Sequence, residues 1–220
     1  MKALNKLVAS SVVTSAVLAG GLMAPATASA EVSASAAVAN MYLWRGIDLG
    51  DGSPAVSGDL TYTAGDTGLY GGIWMSSGDS SLGSEYDYYA GYATELGGLG
   101  IDLSVWNYNY SDGGMTHDTT AELSEVILGL SLSGFSLNYL DNVAGASGYE
   151  YWTLGYGFDK YSVTVGFHDT NSEADMTHVD LGYAFNDNLS FTVSKVVDVE
   201  TDGIYDEDVL YVLVYSLPIM

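Results

Sequence analysis

Six acidic residues fall at alternating positions within apolar–polar segments, where their carboxylates could act together on cations: Asp59, Asp87, Glu95, Asp102, Glu125 and Asp180. Carboxylates that line a pore attract cations and repel anions. We therefore predict that these residues line a lumen and give it selectivity. Two alternatives stay open, namely that they are ordinary solvated lumen residues or that they are partners in a plug of side chains.

Arg45 is the only arginine in the sequence. A guanidinium fork can bind two carboxylates, so Arg45 would serve as a counter-charge that clamps lumen acids at a constriction. The alternation around Arg45 does not show whether it faces the lumen or the outside. Tyr42 and Trp44 share one face, and Leu43 and Arg45 share the other, so both faces carry apolar residues. The alternative is a snorkelling charge at the outer end of a strand.

The run from His168 to Ser172 is similar to the His-x-Ser-Asn-Gly run of twelve-stranded outer-membrane phospholipases. However, Thr170 stands where those enzymes have the nucleophilic serine, and no glycine follows Asn171. His117 and His178 have no obvious partners in the sequence. We predict that the protein is not an enzyme, with no catalytic residues and no cofactor.

A second acidic cluster lies in the last long loop and comprises Asp198, Glu200, Asp202, Asp206, Glu207 and Asp208. Oxygen ligands at this density could hold Ca²⁺, or Mg²⁺ that bridges to lipopolysaccharide. The spacing lacks the Asp-x-Asp-x-Asp-Gly pattern of a calcium loop. We therefore predict a charged surface loop without a defined metal site.

The elements that must position these residues are strands, because apolar and polar residues alternate along most of the chain. In residues 161–168 the odd positions are apolar and the even ones are small or polar, which gives one apolar and one polar face. This pattern predicts an all-β, up-and-down antiparallel transmembrane barrel of about twelve strands with alternating short and long connections. The predicted strands are 34–47, 54–64, 68–77, 84–96, 99–109, 120–131, 134–141, 149–158, 160–169, 176–185, 188–197 and 207–216.

The apolar parity predicts the lipid-facing side, which includes Leu60, Leu103, Leu154, Leu181 and Leu213. The opposite parity is too polar for a dry core, and a soluble barrel would leave the large apolar side chains in water. The last strand departs from the rule at Leu210, Val212 and Val214. We assign Trp74, Tyr86, Tyr108, Tyr139, Tyr149 and Phe167 to an upper aromatic girdle.

Residues 1–30 have the pattern of a secretory signal peptide, with Lys2 and Lys6 before an apolar stretch and cleavage after Ala30. Residues 31–220 would then form the outer-membrane barrel, which has no cysteine. Arg45, Lys160 and Lys195 remain against 28 acidic residues, so nucleic acid is excluded as a partner by charge.

The stretches 40–47, 53–58 and 68–77 carry an aromatic-x-Arg-Gly signature, a Pro-Ala step and a Gly-x-Tyr-x-Gly-x-Trp strand. In these motifs the chain resembles the opening of the TorF family of porin-like bacterial outer-membrane proteins. The resemblance covers about forty residues and implies a porin by analogy.

Together these patterns predict a monomeric barrel in a Gram-negative outer membrane, acting as a narrow channel for passive diffusion of small solutes with a preference for cations. Its partners would be outer-membrane lipid, lipopolysaccharide, and the small solutes or cations themselves. The alternative is a closed structural or adhesive barrel whose acidic loops bind partners or divalent ions.

Overall fold

The computed structural model describes residues 30–112, 123–144, 148–172 and 174–219, which form a closed antiparallel barrel. The strands are β1 (Glu31–Ala39), β2 (Leu43–Trp44), β3 (Ile47–Asp48), β4 (Ala55–Thr63), β5 (Leu69–Asp79), β6 (Gly83–Leu96), β7 (Leu99–Tyr110), β8 (Ser124–Leu132), β9 (Phe135–Asn142), β10 (Glu150–Phe158), β11 (Tyr161–Asp169), β12 (Met176–Ala184), β13 (Leu189–Val199) and β14 (Leu210–Pro218). Twelve of them build the wall, while β2 and β3 pair only with each other. The predicted fold class is therefore confirmed. The predicted signal peptide lies outside the described residues, apart from Ala30.

The barrel is a simple meander in which each wall strand pairs with the next one in sequence, and β1 closes the ring by pairing with β14. β1 also pairs with β4 along its whole length, from Glu31 opposite Thr63 to Ala39 opposite Ala55. The β2–β3 pair is therefore an insertion between two adjacent wall strands. No strand edge of the wall stays unpaired, which removes the usual site of edge-to-edge association.

The first predicted strand, 34–47, is wrong beyond Ala39, because the chain leaves the wall there and forms the β2–β3 hairpin. Alternation continues into the hairpin, so the sequence pattern does not distinguish an inserted strand from a wall strand. The loop-length rule also has an exception: the connection 80–82 between β5 and β6 is shorter than the connection 64–68. The connection 64–68, between β4 and β5, contains a short 3-10 turn at Gly65–Thr67.

The outer face of the wall carries exposed apolar side chains at the predicted positions, among them Leu60, Leu103, Leu154, Leu181 and Leu213. The inner face carries buried polar ones such as Thr153, Thr192 and Ser194. Nowhere in the described ranges is there a helix long and apolar enough to cross a membrane.

The predicted upper girdle is wrong for three of its members. Trp74 and Tyr108 are buried, and the Tyr149 hydroxyl contacts Arg45 inside the barrel. The prediction used only closeness to the long loops. Strand parity decides instead, because Trp74 and Tyr108 lie directly opposite the inward-facing Asp87 on the two neighbouring strands.

Candidate functional site

Residues 40–54, which we call the inner hairpin, fold into the barrel rather than away from it. Arg45 and Gly46 form the tip between Trp44 and Ile47, and their φ angles of 49° and 83° fit a type I′ turn. The Asp48 carboxylate accepts hydrogen bonds from the backbone N–H groups of residues 50 and 52, which fixes the returning arm. A left-handed φ costs a non-glycine residue roughly 1–2 kcal/mol, so the contacts of Arg45 must offset this strain.

The Arg45 guanidinium is fully buried and held by the far wall of the barrel. Its Nη1 and Nη2 atoms donate to the two carboxylate oxygens of Glu125 at 2.9 and 2.6 Å, and the Tyr108 hydroxyl donates to the same carboxylate at 2.8 Å. The guanidinium carbon lies 4.5 Å from the ring centre of Trp44 and 4.9 Å from that of Tyr151. Burial alone would lower the pKa of Arg45, but the Glu125 carboxylate raises it well above its ordinary value, so the group stays charged.

His168 fixes the backbone of the hairpin tip. Its Nε2 donates to the Arg45 carbonyl at 2.8 Å, because a carbonyl oxygen can only accept. In the neutral ring the Nδ1 atom then accepts from the Tyr149 hydroxyl at 2.9 Å, and that hydroxyl accepts from Arg45 Nη1 at 3.1 Å. These three residues form one connected hydrogen-bond network.

His178 provides the surface against which the glycine of the tip lies. A Cβ atom added to Gly46 would come 2.5 Å from Cγ of the His178 ring, so only glycine fits at this position. The ring is itself held on both sides, since its Nδ1 lies 3.1 Å from the Asp180 carboxylate and its Nε2 lies 2.7 Å from the Tyr151 hydroxyl. The Arg-Gly pair in the sequence therefore corresponds to a turn at the hairpin tip that packs against the inner wall of the barrel.

Other residues of the inner hairpin contact other parts of the wall. Leu43 packs with Val212 and Val214 of β14, which explains why the last strand departs from the alternation rule. Tyr42 packs on Trp74, with ring centres 6.3 Å apart, and its hydroxyl donates to Glu85 on β6. β14 and β8 lie diametrically opposite in the strand order. The hairpin therefore spans the lumen and constricts it.

Nearer the short connections, the inner face of β5–β7 is lined by aromatic rings. Tyr89 and Trp106 stack with ring centres 4.3 Å apart, and the Tyr89 hydroxyl donates to Asp59 at 2.6 Å. The Tyr70 hydroxyl contacts both carboxylate oxygens of Asp102, at 2.8 and 2.9 Å.

Two glycines let these tyrosines lie flat on the wall. Gly91 faces Tyr70 and Gly72 faces Tyr89 across neighbouring strands, and a Cβ at either glycine would collide with the facing tyrosine hydroxyl. The close approach of ring to backbone therefore requires glycine at both positions.

The six predicted acids do not form one ring. Glu125 and Asp180 are buried beside the inner hairpin, and Asp87 is buried on the same side of the lumen as Glu85. Asp59 and Asp102 are half-buried further down, and Glu95 is exposed next to the 97–98 turn. Of these six carboxylates, Arg45 contacts that of Glu125, to which both its Nη1 and its Nη2 atoms donate.

Sequence reasoning missed several residues that build this site. Glu85 shares the parity of Asp87 and could have been found from that spacing. Tyr151 and His178 could not, because their roles depend on contacts with the hairpin tip across the lumen. The statement that His178 has no obvious partner is corrected by its contacts with Tyr151 and Asp180.

The structure also places several residues of the other motifs from the sequence. His168 is engaged by the hairpin, while the Thr170 hydroxyl contacts the Asp175 carboxylate at 3.2 Å. His117 lies outside the described residues. Within the ranges that the structure describes, no group of three or more His, Cys, Asp or Glu side chains could hold a metal ion.

A family model described as "Bacterial protein of unknown function (Gcw_chp)" matches residues 23–203 of the chain. That description does not carry the TorF name, so the TorF resemblance stays a prediction. No curated protein matches the sequence.

Several solved structures are similar in shape. OccAB4 of Acinetobacter baumannii has 13% identity and a TM-score of 0.38, with 76% of this chain and 54% of that chain covered. OprD of Pseudomonas aeruginosa has 12% identity and a TM-score of 0.40, covering 86% and 65%. An outer membrane channel of Pseudomonas putida F1 has 13% identity and a TM-score of 0.45, covering 90% and 98%. The chain spans about half the length of OccAB4.

Proposed function

Since the chain belongs to the Gcw_chp family of bacterial proteins of unknown function, we propose a function from its own geometry. The protein is an exported, monomeric outer-membrane channel for passive diffusion of small solutes, of the porin kind that the TorF resemblance implies, and it prefers cations. The observation that carries this proposal is a closed barrel with an apolar outside and a polar, acidic inside. Covalent chemistry has no part in it.

Membrane insertion is supported by the outer face of the barrel. Large apolar side chains are exposed all around the wall, for example Leu60 on β4, Leu103 on β7, Leu154 on β10 and Leu213 on β14. A water-soluble protein rarely exposes such a continuous apolar belt. In a membrane, lipid tails would surround this belt, so that its apolar side chains are kept out of water. The closed wall also pairs its own backbone N–H and C=O groups, as a membrane-spanning segment must.

This placement gives a prediction for charges on the outer face. Leu154→Arg puts a charge in the middle of β10 and is expected to lower the free energy of unfolding in lipid by about 2–4 kcal/mol. Val197→Arg, at a similarly exposed position near the end of β13, should cost only about 0–1 kcal/mol. Reversible denaturant titration in vesicles measures both values. Equal costs for the two variants would argue against insertion.

The cation preference is supported by the charges that a solute can reach. Asp59 and Asp102 are half-buried on the inner wall, and their described contacts are with hydroxyl groups. Glu125 is neutralised by Arg45. Lys160 and Lys195 are exposed and donate to backbone carbonyls. We therefore assign the preference to Asp59 and Asp102 rather than to Glu125.

The deciding experiment is the reversal potential of refolded protein in a planar bilayer under a KCl gradient. We expect discrete conductance steps and a cation-selective potential, and Asp102→Asn should lower the cation-over-anion permeability ratio severalfold. Asp66→Asn, in an exposed turn, is the matched control and should leave the ratio unchanged. Anion selectivity, or a ratio that Asp102→Asn does not change, would contradict the proposed role of this carboxylate.

A second candidate is a closed structural barrel, which the constriction by the inner hairpin favours. In that case the acidic loop 200–209 would bind partners or divalent ions at the surface. Protein that shows the heat-dependent gel shift of a folded barrel but never conducts would support this candidate over the channel.

A further inference from the structure

Asp87 is a buried carboxylate without a partner. It has no exposed surface, and neither carboxylate oxygen forms a hydrogen bond with any residue that the structure describes. A buried carboxyl group in this condition either stays neutral or keeps its charge with a cation beside it.

The neighbours of Asp87 would suit such a cation. Trp74 on β5 and Tyr108 on β7 are its direct cross-strand neighbours, so an aromatic residue stands beside Asp87 on each side along the inner face. Glu85 lies two residues away on the same face of β6 and adds negative charge. Aromatic faces attract cations, and they do so more strongly when water is excluded.

The charges around the hairpin do not balance. On the β6–β8 side of the hairpin, Glu85, Asp87 and Glu125 supply three carboxylates, and among the described residues Arg45 is the one basic group in contact with them. Arg45 is engaged bidentately by Glu125. Glu85 accepts hydrogen bonds from the hydroxyls of Tyr42 and Tyr110. Asp87 is therefore the carboxylate in this group that has nothing to bind.

We propose that Asp87, between Trp74 and Tyr108, is a binding seat for a compact organic cation of the ammonium or guanidinium class. The proposal rests on the proposed cation channel and names the class of solute for it. An N–H donor can bind the carboxylate while its positive charge lies against the two rings. A metal ion would need several oxygen ligands in place of those rings.

The seat is closed in this structure, because Asp87 is fully buried and Tyr42 of the inner hairpin contacts the adjacent Glu85. Binding therefore requires the hairpin to shift or a flanking side chain to rotate. The stacked rings continue from Tyr108 to Trp106, with ring centres 6.4 Å apart, towards the half-buried acids lower in the lumen. The seat thus lies at the upper end of an aromatic wall.

The test is calorimetric titration of the refolded protein in detergent micelles with methylammonium chloride, at an ionic strength held constant with sodium chloride. We expect saturable binding that Asp87→Asn weakens about tenfold or more, since it removes the charge at nearly constant shape. Asp66→Asn should bind like the wild type. The heat-dependent gel shift verifies that each variant is folded.

A second variant tests the site without changing Asp87, in case Asp87→Asn does not fold. Trp74→Leu keeps the carboxylate and removes one flanking ring, so it should weaken binding severalfold, whereas Trp74→Phe should retain most of it. Wild-type protein without saturable methylammonium binding would overturn the proposal, as would equal binding by Asp87→Asn. Binding without conductance would reject the channel and keep the seat. Conductance without binding would reject the seat and keep the channel.

Discussion

Replacing Arg45 by alanine is expected to raise single-channel conductance severalfold. The guanidinium joins the tip of the inner hairpin to Glu125 and to the Tyr151 ring on the far wall, so its loss frees the hairpin from that wall. Removing one partner of a buried ion pair costs about 3–5 kcal/mol. We expect the free energy of unfolding to fall by about this amount, less what is recovered as water enters.

Bilayer recordings and denaturant titration measure these two effects. Lys195→Ala removes an exposed cation instead and should change neither quantity. Arg45→Ala combined with Glu125→Gln should be less costly than the sum of the single changes, because the charge left unpaired by the first is removed by the second. Unchanged conductance in Arg45→Ala would mean that the hairpin does not limit flow.

Gly46→Ala is expected to release the hairpin without altering any charge. The residue has a φ of 83°, and an added Cβ would overlap the His178 ring. Left-handed strain of about 1–2 kcal/mol and overpacking of about 1–3 kcal/mol add to a loss of about 2–5 kcal/mol in the free energy of unfolding. Conductance should rise as in Arg45→Ala, while the ratio of cation to anion permeability stays near that of the wild type.

The same loop offers a matched control for this variant. Gly52 has a φ of 77°, but an added Cβ there meets nothing within 4 Å. Gly52→Ala should therefore show only the backbone strain, about 1–2 kcal/mol, and leave the conductance unchanged. If Gly46→Ala behaves like Gly52→Ala, the packing of the tip against His178 is not what holds the hairpin in place.

The wall of the barrel was predictable because its signal is local. Thr153 and Leu154 are neighbours in sequence and must point to opposite faces, so a run of such pairs defines a strand with one lipid-facing side. The same rule failed after Ala39, where the hairpin keeps the alternation but not the wall. It failed again for Val212 and Val214, since their apolar partner is Leu43 on an inserted segment.

The candidate site was predictable only in part, for a different reason. The sequence showed that Arg45 is the only arginine among many acidic residues, and this suggested a lumen clamp. It could not show that Glu125 is the partner, because that contact joins residues that are 80 positions apart. The pairing depends on which wall strand comes to lie opposite the hairpin when the ring closes, and no local pattern encodes that position.

The long sequence separations of the hairpin contacts have a consequence for the order of assembly. Arg45 is synthesised early, but Glu125, His168 and Val212 follow much later, and the Arg45 carbonyl contacts a histidine 123 positions away. Non-local contacts form late because the chain between them must first be ordered. Because its partners lie on β8, β11 and β14, the hairpin has its full docking surface only once the wall has closed, and we expect it to dock after closure. In a variant that keeps Trp44 as its sole tryptophan, refolding should show this order as a fluorescence change that follows the gel-shift transition, and simultaneous transitions would exclude it.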